Sequence, residues 1–213
     1  MFYSSMPQEI IPFEACRGDL VTGDDKPRCT WPGDDELMLR YHDEEWGVPV
    51  HEDRKWFEYM VLDAFQAGLS WKTVLHKRQA FRKVFRNFDP VRVAGMSKKQ
   101  IDAACLNPAI IRNRLKIQAA VSNAAAFLKV QAKYGSFDSF IWSFTEGKAL
   151  HHTWKTLKQI PASTPLSDDV SKSLKNQGFS FVGTTICYAF LQAGGIVNDH
   201  LVGCFRYKEL RVT

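Results

Sequence analysis

From Asp34 onward, apolar residues recur mostly at helical spacing rather than in strict alternation. Glu36 to Glu45 reads as a short helix stopped before Gly47 and Pro49. Asp53 is a candidate cap for the next helix, whose buried face would carry Trp56, Phe57, Met60, Val61 and Ala64, with Gly68 ending it. The pattern then predicts a helix from Ser70 through Phe85 and a shorter one from Ser97 to Cys105. A long helix is expected from Pro108 to Tyr134, closed by Gly135, followed by a short one over 136–144. His151 to Pro165 reads as a polar loop, with His151 and His152 in solvent. Ser167 to Gln177 and Thr184 to Ala193 complete the set, and no alternating run argues for a strand. The expectation is an all-α protein, one helical domain over 28–213 or two helical lobes with a pocket between. Residues 1–27, broken by Pro7, Pro12, Gly18, Gly23 and Pro27, read as an irregular extension.

The composition is that of a globular protein, 45% hydrophobic and 24% charged over 213 residues. No apolar run reaches the ~18 residues of a membrane helix, and the N-terminal stretch lacks the basic region of a secretory signal. Five cysteines, an odd and sparse count, fit reduced thiols in a cytoplasmic protein better than a disulfide framework. Charge is unevenly distributed. Residues 1–71 hold 6 Lys/Arg and 15 Asp/Glu, whereas residues 72–133 hold 14 and 2. The basic middle third suggests a polyanion-facing surface; solvated helix faces, or cancellation by the acidic first third on folding, are the alternatives.

Three constellations carry chemistry. Between Lys175 and Thr184 a helix ends at Gly178 and a second glycine, Gly183, opens the next helix. Glycine permits a left-handed backbone, and the free amides at a helix start attract phosphate. The stretch resembles a helix–hairpin–helix clamp on a DNA backbone, with Phe179 and Val182 packing beneath it; an ordinary glycine-ended turn is the bland reading. Many base-excising enzymes of that superfamily place an aspartate where this chain has Asn198. An amide cannot act as a base, so that carboxylate chemistry is absent at this spot. The neighbouring Asp199 is offset by one.

Cys29, His42, His200 and Cys204 offer two thiolates and two imidazoles, a tetrahedral zinc set that leaves no open position. On a helix, His200 and Cys204 would share a face. Buried cysteines and packed histidines are the alternative. Lastly, Trp31, Tyr41, Trp46 and Trp71 lie near Asp63, a carboxylate interrupting an apolar run. Aromatic rings with a carboxylate suit a flat cation, unless the aspartate is merely an exposed helical residue.

Several strings coincide: Arg28-Cys29-x-Trp31, Tyr41-His-Asp-x-Glu-Trp-Gly-Val-Pro49, Gln66-Ala-Gly-Leu-Ser-Trp71, Ile110-Ile-Arg-x-Arg114, Phe181-Val-Gly-Thr-Thr-Ile-Cys-Tyr188 and Asn198-Asp-His-x-Val-Gly-Cys204. Over roughly residues 28–207 the chain resembles the 3-methyladenine DNA glycosylase I family. The resemblance implies an all-α helix–hairpin–helix glycosylase fold, one structural zinc on Cys29, His42, His200 and Cys204, and double-stranded alkylated DNA as partner. It implies a monomeric, monofunctional hydrolase releasing 3-methyladenine in the first step of base excision repair. The base pocket maps to Trp31, Tyr41, Trp46, Asp63 and Trp71, with Asp63 and Tyr41 as the catalytic pair. Gly68 and Leu69 would wedge the duplex, while Lys175, Gly178, Phe181, Gly183 and Thr184 would hold its backbone. The chain departs from the pattern at Asp63, where the family carries glutamate, at Ala64-Phe65 and at Met38. A non-catalytic damage-binding module, an altered alkyl-base preference arising from Asp63, and a zinc-stabilised interaction protein remain open alternatives.

Overall fold

The computed structural model describes residues 20–23 and 26–211. A short antiparallel hairpin opens it, β1 (Leu20–Gly23) with β2 (Lys26–Cys29). Part of the segment expected to be irregular is thus paired strand; the rest of that extension, Cys16 included, lies outside the described residues. The main elements then follow as α1 (Glu36–Glu44), α2 (Asp53–Gln66), α3 (Trp71–His76), α4 (Arg78–Val84), α5 (Pro90–Ala94), α6 (Lys98–Leu106), α7 (Arg114–Tyr134), α8 (Phe137–Trp142), β3 (Leu150–His151), α9 (Pro165–Asn176), α10 (Thr184–Ala193), β4 (Val197–Asn198) and α11 (Phe205–Glu209). Strands β3 and β4 pair in parallel, so even this helical chain contains two small sheets that no alternating pattern announced. Strands this short bury too few side chains to leave a period-two signature.

Helix α2 is the centre of the molecule. Every residue from Trp56 to Phe65 is buried, so it has no solvent face over that stretch. A helix enclosed on all sides is mostly apolar; two carboxylates interrupt this stretch, and whereas Glu58 is paired with Arg82, Asp63 Oδ2 has no partner, which is why Asp63 stands out. One apolar cluster runs from Met38 in α1 to Val197 in β4 and includes Phe57, Phe65, Phe81, Phe127 and Phe137. A smaller one gathers Cys29, Leu201 and Cys204.

Capping explains where the boundaries differ from the pattern. Asp53 does not cap its own helix: its carboxylate accepts from the Phe137 and Asp138 amides (2.9 and 2.8 Å), bracing the start of α8. The segment expected as one helix over 70–85 breaks at Lys77, whose amide turns back to the Val74 and Leu75 carbonyls. Helix α7 begins at Asn113, which accepts from the Lys116 amide, and not at Pro108. Thr164, one turn ahead of the expected start, caps α9 through a reciprocal bond with Ser167.

The acidic first third folds against the basic middle. Glu45 takes a bidentate pair from Arg78 (both 2.7 Å) and a 2.7 Å bond from Lys55, and Glu58 pairs with Arg82 at 2.8 Å. Part of the positive excess is therefore neutralised inside the protein. The C-terminal segment closes over the turn after α1. Gly195 lies at φ +73°, and a Cβ there would sit 2.3 Å from the Val48 carbonyl carbon, so only glycine fits.

Candidate active site and metal centre

A cavity of about 220 Å³ is lined by Trp31, Tyr41, Trp46, Asp63, Gln66, Trp71, Ile160, Ala189 and Gln192. The five residues expected to form the pocket are all present. Trp31 follows β2, Tyr41 lies on α1, Trp46 follows α1, Asp63 and Gln66 end α2, and Trp71 starts α3 where Ser70 caps it. Pockets for drug-sized ligands run from ~300 Å³, so this volume suits one compact planar molecule. The rings form a cage of edges and faces: Trp31 meets Trp46 at 5.1 Å and 71°, and Tyr41 meets Trp71 at 5.0 Å and 49°.

Three polar atoms in this cage are buried without a partner: Trp31 Nε1, Trp71 Nε1 and Asp63 Oδ2. Each such group costs ~1–3 kcal/mol when left unpaired, and finding three in one cavity points to a ligand that would satisfy them. Burial alone pushes the Asp63 carboxyl well above the usual carboxylate range. A cation seated beside it would reverse that preference. The Tyr41 phenol is likewise raised by burial, with Tyr59, Asp63 and Glu45 adding to it, and stays a neutral donor.

A second hollow of about 240 Å³ shares Asp63, Gln66 and Ala189 with the first and adds Ala67, Gly68, Leu69, Thr185 and Ile186. The cage thus continues into a groove between the end of α2 and the start of α10. Gly68 is exposed at φ +78°, and Leu69 beside it on the groove's lining is 43% exposed. Across the groove, Gly178 turns at φ +90° and Gly183 precedes α10, whose first amides receive no side-chain cap. Phe179 and Val182 are buried beneath the turn, as expected. Phe181 is held at φ +56°, a strained left-handed conformation for a non-glycine residue. Lys175 is exposed beside it. The Thr184 hydroxyl donates to Asp168 at 2.5 Å and lies 2.9 Å from the Ser167 hydroxyl.

Cys29, His42, His200 and Cys204 are buried, with ligand atoms all within 4.8 Å of one another, a group that could hold a metal ion. Cys204 Sγ lies 3.5 Å from His200 Nδ1 and 3.6 Å from His42 Nε2. Sulfur and nitrogen separated by about 3.5 Å are what tetrahedral bond lengths near 2.3 and 2.0 Å require. Outer partners orient both rings: His42 Nδ1 meets Asp43 at 2.7 Å, and His200 Nε2 meets the Trp46 carbonyl at 3.0 Å. Contrary to the helical expectation, residues 200–204 form a turn, and α11 begins only at Phe205. The turn, rather than helical periodicity, brings His200 and Cys204 together.

Neither Asn198 nor Asp199 lines the cavity. Asp199 is fully buried and accepts from His152 (2.6 Å), Trp154 (2.8 Å), Tyr188 (2.5 Å) and Gln192 (2.7 Å). His151 and His152 are accordingly half-buried and paired, not free in solvent. Four lining residues escaped the sequence reading as cage members: Gln66, Ile160, Ala189 and Gln192. A signal existed for two of them, since Gln66 and Gln192 are polar residues that follow apolar runs near the C-terminal ends of their helices.

The methyladenine glycosylase family profile matches residues 31–207. DNA-3-methyladenine glycosylase 1 of Escherichia coli (strain K12) is 49% identical over 180 residues, 84% of this chain and 96% of that protein. A crystal structure of 3-methyladenine DNA glycosylase I superposes with TM-score 0.82 at 50% identity, covering 84% of this chain and 98% of that one. A variant of such an enzyme, solved in complex with 3-methyladenine, gives TM-score 0.81 at 34% identity over 84% of this chain and 96% of its own.

Proposed function

The chain belongs to the methyladenine glycosylase family, and from that premise we propose that it extrudes 3-methyladenine from alkylated double-stranded DNA and hydrolyses its glycosidic bond. The observation that carries this reading is the aromatic cage with three unpartnered buried polar atoms. The Trp31 indole N–H faces a ring nitrogen of the base, and one carboxylate faces a cation.

Methylation at N3 puts positive charge on the adenine. When the bond from N9 to the sugar C1′ breaks, its electron pair moves onto the base, which leaves neutral. Water then adds to the oxocarbenium-like C1′ and gives a proton to solvent. No strong general acid is required, so the protein's work is extrusion, recognition and charge complementarity. Trp71 and Trp46 stack on the base. Tyr41 and Asp63 bond to its edge, and Asp63 ionises as the cation arrives. Aspartate is one methylene shorter than the family's glutamate, which shifts its carboxylate by about 1 Å and bears on lesion preference.

Residues 165–193 are read as a helix–hairpin–helix. The exposed turn from Gly178 to Gly183 and the uncapped start of α10 support phosphate binding there, with Lys175 adding charge. Leu69, held out by Gly68, wedges into the gap left by the flipped nucleotide. Zinc in the Cys29, His42, His200 and Cys204 set would tie the N-terminal segment to the C-terminal one; with four protein donors it keeps no position for substrate. Residues 28–213 act as one helical unit and as a monomer. No helix among the described residues is long and apolar enough to cross a membrane. Among the described residues no lysine lines the cage or the groove, and Asn198 stands where the superfamily pattern has aspartate, which fits a hydrolase without strand cleavage.

The test is release of free bases from duplex DNA treated with dimethyl sulfate, resolved chromatographically. Release of 3-methyladenine, with abasic but uncut strands, is expected. Binding to methylated duplex without any base release would instead indicate a damage-binding module.

A further inference from the structure

Helix α7 touches both the turn that follows α2 and the turn that precedes α10, each through one buried polar side chain. Lys116, in its first turn, is buried and donates to the Phe65 carbonyl at 3.0 Å and the Ala67 carbonyl at 2.5 Å. These are carbonyls at the C-terminal end of α2, immediately before Gly68 and Leu69. Such carbonyls have no partner within the helix, and a buried ammonium is a strong donor to them. Asn123 is also buried, and it grips the opposite turn with both ends of its amide. Its Nδ2 donates to the Ser180 carbonyl at 2.9 Å, and its Oδ1 accepts from the Ser180 amide at 2.8 Å. Ser180 is the middle of the Gly178–Gly183 turn. Lys116 and Asn123 are seven residues apart, so they share a helix face about 10 Å along the axis from each other.

We infer that Lys116 and Asn123 are positioning residues that make α7 a rigid spacer. They fix the distance between the Leu69 turn and the Gly178–Gly183 turn, so that wedge and phosphate grip engage the duplex in register. Neither residue lines the cage or the groove, and neither touches the base. Placing a wedge within a fraction of an ångström of its target affects rate steeply, and one helix spanning both turns provides that placement. The inference rests on the reading of the chain as a base-flipping glycosylase.

The experiment is single-turnover release of 3-methyladenine from two duplexes, one with thymine opposite the lesion and one with an abasic site there, where no paired base has to be parted. Lys116→Met keeps the stem and removes the donor. It is expected to slow release from the paired duplex at least tenfold at saturating enzyme, while the abasic-facing duplex stays within twofold. Lys116→Arg should restore part of the rate. Asn123→Leu should raise the enzyme concentration needed for half-saturation on both duplexes tenfold or more, without changing the saturating rate on the abasic-facing one. Binding of free 3-methyladenine, read by tryptophan fluorescence, should be unchanged in every variant. A general loss of structure would lower reaction amplitude and free-base binding instead.

Equal slowing of Lys116→Met on both duplexes, or no slowing on either, would overturn the inference. If Lys116→Met does not fold, Asn123→Leu decides alone, and unchanged half-saturation would then count against it. Leu69→Ala separates the two levels. If the wild-type protein releases base and Leu69→Ala is unimpaired, the wedge reading fails; if Leu69→Ala is slowed and the α7 variants are not, only the spacer fails.

Discussion

The Nε2 atom of His200 lies 3.0 Å from the backbone carbonyl of Trp46. One residue belongs to the Cys/His cluster that could hold a metal ion and the other to the aromatic cage, so a hydrogen bond links the two centres. The rings themselves also touch, at 4.6 Å and 70°. Removing the metal should therefore disturb the pocket as well as the fold. Chelation, or Cys204→Ser, is expected to cost at least ~3 kcal/mol and lower Tm by roughly 6–12 °C. Metal analysis should find one zinc per chain before treatment, and free 3-methyladenine binding should weaken together with the loss of zinc.

Asp63→Asn should trade function for stability. The carboxyl is raised by burial, so its ionised form opposes folding, and that destabilisation grows as pH rises from the unfolded value through the raised folded one. The amide removes this term. We expect Tm at neutral pH to rise by ~2–4 °C, equivalent to about 1 kcal/mol. Base release should fall at least tenfold. In the wild-type protein, release should increase with pH over a range above the ordinary carboxylate titration, and the variant should lose that limb. Calorimetry beside single-turnover kinetics across pH would check both signs.

Glu45 behaves in the opposite sense. Burial would raise its carboxyl, but Arg78 and Lys55 override that and hold it down to about 2. A depressed folded pKa contributes stability that is complete above the unfolded value of about 4.5 and is lost as pH falls toward 2. Arg78→Met should cost about 1–3 kcal/mol, because Glu45 loses its bidentate partner but keeps Lys55, and Glu58 keeps Arg82. Urea denaturation at pH 7 and pH 3 should show the gap between wild type and variant shrinking in acid.

Asp199→Ala should be among the more damaging single changes. It leaves Tyr188, His152, Trp154 and Gln192 without their common acceptor, at a cost of ~3–5 kcal/mol. Because Gln192 lines the cage, free-base affinity should drop as well. Asp199→Asn, which keeps one acceptor oxygen, should recover part of both losses in the same melting and fluorescence measurements.

Much of the chemistry was legible in residue types. Trp31, Tyr41, Trp46 and Trp71 announced a cage, Asp63 broke an apolar run, and the Cys/His set counted out to four donors. What could not be read were relationships set by tertiary contact. Asp53 has the sequence of a local cap yet braces a helix more than eighty residues away. Lys116 and Asn123 look like polar punctuation on an amphipathic helix; only the packing of two turns against α7 gives them tasks. The two small sheets were invisible because strands of two to four residues leave no periodicity. Asp199 sits one position out of register with the superfamily pattern, and nothing in the sequence announces that four side chains from two segments, the loop after β3 and α10, converge on it.

His42 and Cys204 are separated by 162 positions along the chain. At a synthesis rate of about 5–20 residues per second, the first two donors wait roughly 8–32 s on the ribosome for the other two. Throughout that interval Cys29 is a bare thiol, open to oxidants and to competing cations. The four donors can therefore meet only after almost the whole polypeptide has been made, which places closure of the cluster among the last events of synthesis.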